Sequence, residues 1–335
     1  MRVLMFLPEP MQSRCFSQAD LARLHKNHDV ILTACHDGPE LRRKWSEWAE
    51  QCDAIVTGWG SPVITDEMLD ESPGVRLIVH AAGSVKHLLP TSVWDRGIRV
   101  ASCNEALAIG VAETTLGMII AGLKGFFPCN DLTHSGGWKI SELACPGFEV
   151  REVYEVTIGL IGASQAGRHV IRLLRAFETT VLVADPHLSD EEAARLDVER
   201  VSLDQLMRRS DVVSLHAPAL PDTRHLLGRD QFRAMKDGAI FINTARGAIV
   251  DEAALVAELE TGRIRAFIDV TDPEPPVVNH PFRKLANVVL TPHIAGALSN
   301  GCLRVGRSAV DQLIRFGLGQ KMPGEVTADR LTILA

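Results

Sequence analysis

The sequence predicts an α/β protein made of two doubly wound domains. Three observations carry this reading. Short β-rich runs alternate with helical patterns along most of the chain, the alternation stops in one polar loop and then restarts, and 335 residues suffice for two domains with separate cores. At 46% hydrophobic and 23% charged residues the composition is globular, too apolar and varied for a disordered or fibrous chain.

In chain order, the first round reads as strand Val3–Leu7, helix Gln18–Lys26, strand Val30–Thr33, helix Glu40–Glu50, strand Ala54–Thr57, helix Asp66–Asp70 and strand Leu77–His80. This rhythm predicts βαβ units and a parallel sheet with helices on both faces. The stretch Ala106–Phe127 is the most apolar of the chain. Glu113 and Lys124 interrupt it, so it reads as a buried helix at a domain or subunit boundary and not as a membrane span, and Asn104–Lys124 is a plausible connector. A loop rich in Gly, Pro and polar residues, Pro128–Glu152, follows. The second round supplies candidate strands Glu155–Ile161, Thr180–Ala184, Asp211–Leu215, Ala239–Asn243, Arg265–Asp269 and Val288–Leu290. Helical periodicity returns in Ala297–Gly317 through Leu303, Val310, Leu313 and Ile314, a segment able to pack back on the first domain.

Charge and cysteine content exclude several classes. Lys and Arg total 35 against 42 Asp and Glu, a net charge of −7, and the short basic runs Arg42-Arg43-Lys44 and Arg208-Arg209 are isolated, so no nucleic-acid partner is expected. The seven cysteines, at positions 15, 35, 52, 103, 129, 145 and 302, form no C-x-x-C pair and read as reduced, mostly core thiols of a cytoplasmic protein. His25 and His28 have no partner ligands, so no metal is expected. The apolar run at the N-terminus is too short for a signal-peptide core.

The second round opens on chemistry. Strand Val156–Ile161 runs into Gly162-Ala163-Ser164-Gln165-Ala166-Gly167 and then a helical Arg168–Phe177, a G-x-G-x-x-G turn with Ser at its middle position. The first Gly permits the tight turn, the last allows close helix–strand approach, and the helix N-terminus offers N–H groups to a pyrophosphate. At the end of the next strand, Asp185 is placed to accept hydrogen bonds from ribose hydroxyls and to repel a 2′-phosphate. No guanidinium follows it, since the next residues are Pro186 and His187, so NAD is predicted over NADP.

Three later segments put chemistry at strand ends: INTARG with Arg246, DVTDPEP with Glu274 and LTPHIAG with His293. Taken singly each has an ordinary structural explanation, as a surface cation, a loop carboxylate and a turn histidine. Together, after a dinucleotide fingerprint, they suit reduction of a 2-oxo acid: Arg246 holds the carboxylate and polarises the carbonyl, His293 donates a proton, and Glu274 orients the imidazole.

At this point the chain resembles the D-isomer-specific 2-hydroxyacid dehydrogenase family over nearly its whole length. The matching stretches are VAETTLGMIIAGL (111–123), GLIGASQAG (159–167), ADP (184–186), SDVVSLHAPALPDTRHLLG (210–228), MKDGAIFINTARGAIVDEAAL (235–255), DVTDPEP and TPHIAG. The resemblance implies a Rossmann NAD-binding domain, 105–296, inserted in a discontinuous flavodoxin-like substrate domain, 1–104 and 297–335, with the substrate held between them. It implies a catalytic triple of Arg246, Glu274 and His293. It places Ala82, Gly83 and Ser84 on the turn that holds the substrate carboxylate, Ala245 and Asp269 near the nicotinamide, and His216, Ala217 and Pro218 beside the coenzyme. Trp59, after a strand of the first domain, is a further candidate for the substrate side, and packing explains it equally well. Related formate dehydrogenases carry Gln where this chain has Glu274, which favours carbonyl chemistry through a protonatable His293.

The expected function is hydride transfer between NAD(H) and a small 2-oxo acid or D-2-hydroxy acid of the glyoxylate or hydroxypyruvate type, in a homodimer. Two alternatives stand beside it: an NAD-sensing, non-catalytic binding protein of the corepressor kind, and a dehydrogenase of another small anion such as formate or phosphite.

Overall fold

The computed structural model describes residues 1–142 and 149–332, so Cys145 and the middle of the Pro128–Glu152 loop lie outside the described residues. The chain divides into two compact units, Met1–Leu107 with Ala297–Ala335, and Ala108–Gly296. The described strands, in chain order, are β1 (Arg2–Met5), β2 (Asp29–Leu32), β3 (Ala54–Thr57), β4 (Leu77–His80), β5 (Arg99–Ser102), β6 (Thr157–Ile161), β7 (Thr180–Ala184), β8 (Glu199–Arg200), β9 (Val212–Leu215), β10 (Ile240–Asn243), β11 (Arg265–Ile268), β12 (Val288–Leu290) and β13 (Glu325–Val326).

In the first unit the sheet order is β13-β5-β4-β3-β1-β2, with β1 to β5 parallel and β13 antiparallel, Glu325 opposite Ala101. The parallel part has the 2-1-3-4-5 order of a flavodoxin-like sheet. Its strands are apolar on both sides because both sides are covered. Val3, Met5, Val56 and Val79 face one core that the helix Asn300–Gly317 closes with Cys302, Val305, Ala309, Val310 and Leu313. Leu4, Phe6, Ile55, Ile78 and Val100 face the other.

The second unit has a seven-stranded sheet in the order β12-β11-β10-β9-β6-β7-β8, all parallel, which is the Rossmann order extended by one strand. The order reverses between β6 and β9, so the loops leaving those two strands diverge to opposite faces and open a crevice. The helix Asn104–Lys124 covers one face of this sheet. Its buried residues Ala108, Ala112, Thr115, Ile119 and Leu123 recur every three or four positions, and Gly122 lets it lie against Ile240 and Phe267. By length and composition alone this helix could cross a membrane.

Several elements depart from the sequence expectation. Helix Glu40–Glu50 is shorter, Gly38–Arg43 followed by two 3-10 turns, Trp45–Glu47 and Ala49–Gln51, where Trp45 turns inward to meet Phe6 edge-on at 5.0 Å. The loop Pro128–Glu152 begins with a helix, Phe126–His134. Gly125 in the left-handed region (φ 65°) ends one helix and starts this one, and Pro128 falls in its first turn, where a missing N–H is harmless. The helix after the glycine turn starts one turn earlier than expected, Gln165–Leu174. Three strands lie outside the sequence expectation: β8 and β13 at sheet edges, and β5, which pairs with β4 on one side and β13 on the other.

Candidate active site

The glycine turn leaves β6 at the crevice. Gly162 has φ +96°, and a Cβ there would lie 2.7 Å from Ala217 N, while one on Gly167 would lie 2.4 Å from Gly162 O. Both positions therefore require glycine, one for conformation and both for close approach. The middle position does not: Ser164 is extended (φ −62°, ψ 178°) and serves as N-cap of the following helix, its Oγ 3.5 Å from Gly167 N. Among the described residues the N–H groups of Gln165 and Ala166 meet no acceptor. They are two of the orphan donors of a helix start and suit a pyrophosphate.

Asp185 sits at the end of β7, where its Oδ2 accepts from Ala163 N at 2.7 Å and its Oδ1 from His187 N at 2.8 Å. The carboxylate thus braces the turn and, with two lone pairs on each oxygen, keeps capacity for further donors. The His216 ring is buried, its Nε2 2.9 Å from Ser214 Oγ, and burial pulls its pKa down to about 4. Toward Gly162 it is the His216 and Ala217 backbone that closes in, while the His216 Cβ lies beside Gly167. Together the turn, the unpaired donors and Asp185 fit an NAD molecule.

The chemical residues follow from the next strand ends in the same unit. Buried Asn243 ends β10, where its Oδ1 accepts from Ala245 N at 3.0 Å and its Nδ2 donates to Arg246 O at 3.1 Å. The exposed Arg246 donates Nη1 to Ala245 O at 2.6 Å. Its neighbour Gly247 lies so close to the next loop that a Cβ would be 2.1 Å from Thr271 C and 2.5 Å from Asp272 N. The Arg246 turn and the segment bearing Glu274 are therefore packed backbone to backbone.

Glu274 Oε1 lies 2.6 Å from His293 Nδ1, both side chains being partly open to solvent at 42% and 45%. His293 itself adopts φ +52°, uncommon for a side chain of this size. Asp269, 2% exposed, holds that turn: Oδ1 accepts from Thr291 Oγ1 (2.6 Å) and Ile294 N (2.8 Å), Oδ2 from Ala295 N (2.9 Å), and its carbonyl accepts from His293 N (2.9 Å). The structure thus brings Glu274 and His293 into contact and uses the Asp269 carboxylate to shape the turn between them. Asn243 and Gly247 escaped sequence reasoning, although a buried Asn ending an apolar strand just before Thr-Ala-Arg-Gly is a readable signal. Among the described residues no cluster of three or more His, Cys, Asp or Glu is placed to hold a metal ion.

In the first unit, Ala82 is buried, Gly83 and Ser84 are half-buried, and the turn is tied down by Cys103 N donating to Ala82 O at 3.0 Å. Ser84 Oγ accepts from Lys86 N at 3.4 Å. Just before the turn, buried His80 meets Thr57 Oγ1 through Nδ1 at 3.1 Å, and burial pulls its pKa to about 4. Trp59 is half-buried and packs on the core beside β1 and β3.

Residues 116–295 match the family model of the D-isomer specific 2-hydroxyacid dehydrogenase NAD binding domain. The chain is 31% identical to a glyoxylate reductase from Thermofilum pendens over 97% of its own length and 96% of that protein. It is 32% identical to D-3-phosphoglycerate dehydrogenase from Methanocaldococcus jannaschii over 82% of its length, but spans only about half, 51%, of that relative. A solved phosphoglycerate oxidoreductase from Rhizobium etli superposes with a TM-score of 0.80 at 25% identity, covering 97% of this chain and 98% of that one. With the fingerprint turn, the strand order and the matched residues all in one unit, the chain belongs to the D-isomer-specific 2-hydroxyacid dehydrogenase family, and its second unit is that family's NAD-binding domain.

Proposed function

We propose that the chain interconverts a small 2-oxo acid and the corresponding D-2-hydroxy acid, the class that glyoxylate and hydroxypyruvate represent. The observation that carries this reading is the 2.6 Å contact between His293 Nδ1 and Glu274 Oε1 in the unit that holds Arg246. Bound NADH supplies the hydride that reaches the carbonyl carbon. His293, with Nδ1 committed to Glu274, has Nε2 free to give its proton to the carbonyl oxygen, and the Glu274 carboxylate compensates the imidazolium until the proton leaves. Arg246 spends Nη1 on Ala245 O and keeps Nε and Nη2 for the substrate carboxylate and the polarised carbonyl. In the first unit, the Ala82–Ser84 backbone N–H groups are assigned to the carboxylate, and Trp59 to the substrate side chain. Asp185 is assigned to the adenosine ribose and makes NADH the preferred coenzyme.

Exposed apolar residues between positions 126 and 154, Phe126, Phe127, Trp138, Ile140, Val150 and Tyr154, support self-association as a dimer, which light scattering tests directly. The described cysteines are free thiols, in keeping with a reducing, cytoplasmic compartment.

The reaction is tested by the fall in NADH absorbance with glyoxylate, hydroxypyruvate, pyruvate and bulkier 2-oxo acids. Turnover on at least one acid is expected, and Arg246→Ala and His293→Ala should abolish it while NADH binding survives. Silence with every acid despite tight NADH binding refutes the reading, and loss of coenzyme binding in the variants would make both residues structural.

A further inference from the structure

We infer that Glu252 and His280 form a positioning pair for Glu274, an inference that rests on the role of Glu274 proposed above. Glu252 is the first residue of the helix Glu252–Leu259, only five positions beyond Gly247. Its Oε1 accepts from Asp272 N at 2.9 Å, two residues before Glu274. Its other oxygen, Oε2, meets His280 Nε2 at 3.0 Å, and both side chains are only 13% exposed.

The tautomer of His280 follows from its second contact. His280 precedes the 3-10 turn Pro281–Arg283, and its Nδ1 accepts from Phe282 N at 3.3 Å. A nitrogen that accepts carries no hydrogen, so the proton of the neutral ring is on Nε2 and is donated to Glu252. The ring is held further by Phe282, with centroids 4.6 Å apart. One oxygen of Glu252 is therefore fixed by His280 while the other fixes Asp272.

The backbone of segment 271–275 is restrained from two directions, and the Asp272 side chain also meets Arg224 Nη1 at 3.4 Å. Gly247 abuts Thr271 and Asp272 backbone to backbone, and Glu252 takes the Asp272 N–H. Both restraints come from residues 246–252, the stretch that begins with Arg246. Arg246 and Glu274 are thereby referenced to one rigid frame, and the pair Glu252–His280 is the part of that frame that hydrogen bonds alone maintain. Burial pushes the Glu252 carboxyl above its ordinary value, while the Asp272 N–H and His280 act against that shift. Loss of either partner would leave a poorly hydrated carboxylic group free to let the segment move.

The test uses the full chain with Glu252→Ala, Glu252→Gln, His280→Leu and Glu274→Gln, each checked for folding by NADH binding. In Glu252→Ala the Asp272 amide should exchange its hydrogen at least about tenfold faster, whereas Glu252→Gln stays near the parent, because its oxygen serves Asp272 N–H and its NH2 donates to His280 Nε2 once the ring proton moves to Nδ1, at the cost only of the 3.3 Å Phe282 contact. With whichever 2-oxo acid of the panel is turned over, Glu252→Ala should lower kcat about tenfold or more with KM within about twofold, because only proton delivery through His293 is displaced. Glu252→Gln should recover most of that kcat, and His280→Leu should fall between the two. If Glu252→Ala does not fold, His280→Leu against Glu252→Gln decides by the same readouts. Parent-like exchange or parent-like kcat in both Glu252→Ala and His280→Leu, with Glu274→Gln inactive, overturns the pair. Parent-like kcat in Glu274→Gln, or no turnover with any acid, overturns the underlying reading instead.

Discussion

Replacing Asp269 by asparagine should uncouple the His293 turn at a single atom. The carboxylate accepts three hydrogen bonds, two of them from backbone N–H groups at Ile294 and Ala295, and is almost entirely buried. An amide has one oxygen. If its NH2 takes the Oδ2 position it opposes Ala295 N–H, and if it is flipped it opposes Ile294 N–H, so one buried donor is orphaned in either orientation. Hydrogen bonds to a charged group contribute about 1.5–3 kcal/mol each and an unsatisfied buried donor costs about 1–3 kcal/mol, which together put the loss at about 2–4 kcal/mol. For a unit of this size that is a fall in Tm of about 5–15 °C, read by calorimetry or circular dichroism. Because His293 N donates to the carbonyl of the same residue, kcat should fall with it. A Tm within about 1 °C of the parent together with an unchanged kcat would refute the argument that this carboxylate shapes the turn.

Gly247→Ala places a Cβ against the Thr271 and Asp272 backbone, which has no flexible end to yield. It should cost about 1–3 kcal/mol by overpacking and lower kcat while NADH binding persists, so parent-like kinetics would show that the two loops need no such approach. The buried His80 and His216, both pulled from 6.5 to about 4, make folding depend on pH. Their native forms refuse a proton that the unfolded chain binds below 6.5, so stability is full above that value and declines as pH falls toward 4, by about 1.4 kcal/mol per pH unit for each residue. A Tm series over this window measures the decline, and His216→Gln should flatten it for the second unit; an unaltered slope would remove His216 from the account.

Much of this site was legible because strand ends and glycine turns leave local traces. Gly162 and Gly167 announce a turn that only they can make, and Asp185, Arg246, Glu274 and His293 each end or follow an apolar run. Strands β3, β4, β7 and β12 fall where their β-rich runs predict them. What escaped depends on distant partners. β13 is two residues long and is defined only by pairing with β5, more than two hundred positions earlier in the chain. Asn243 and Glu252 look like ordinary polar residues until the turns they bind are folded beside them. The buried carboxylate of Asp269 is similar: a sequence marks an acid at a strand end, but not which amides will claim it. Pro128 misled in the opposite direction, as a loop signal that a helix start tolerates.

The division of the chain also sets an order of assembly. Residues 108–296 are continuous, so the NAD-binding unit has all of its strands once they have left the ribosome. The first unit at that moment lacks the helix Asn300–Gly317 and β13, and the core face that holds Val3, Val56 and Val79 lies open. Its five parallel strands are synthesised first and finished last. During synthesis this half of the molecule exposes an apolar sheet face for the time taken to make the rest, and a chaperone that grips such a face would act on it after the coenzyme domain has already closed.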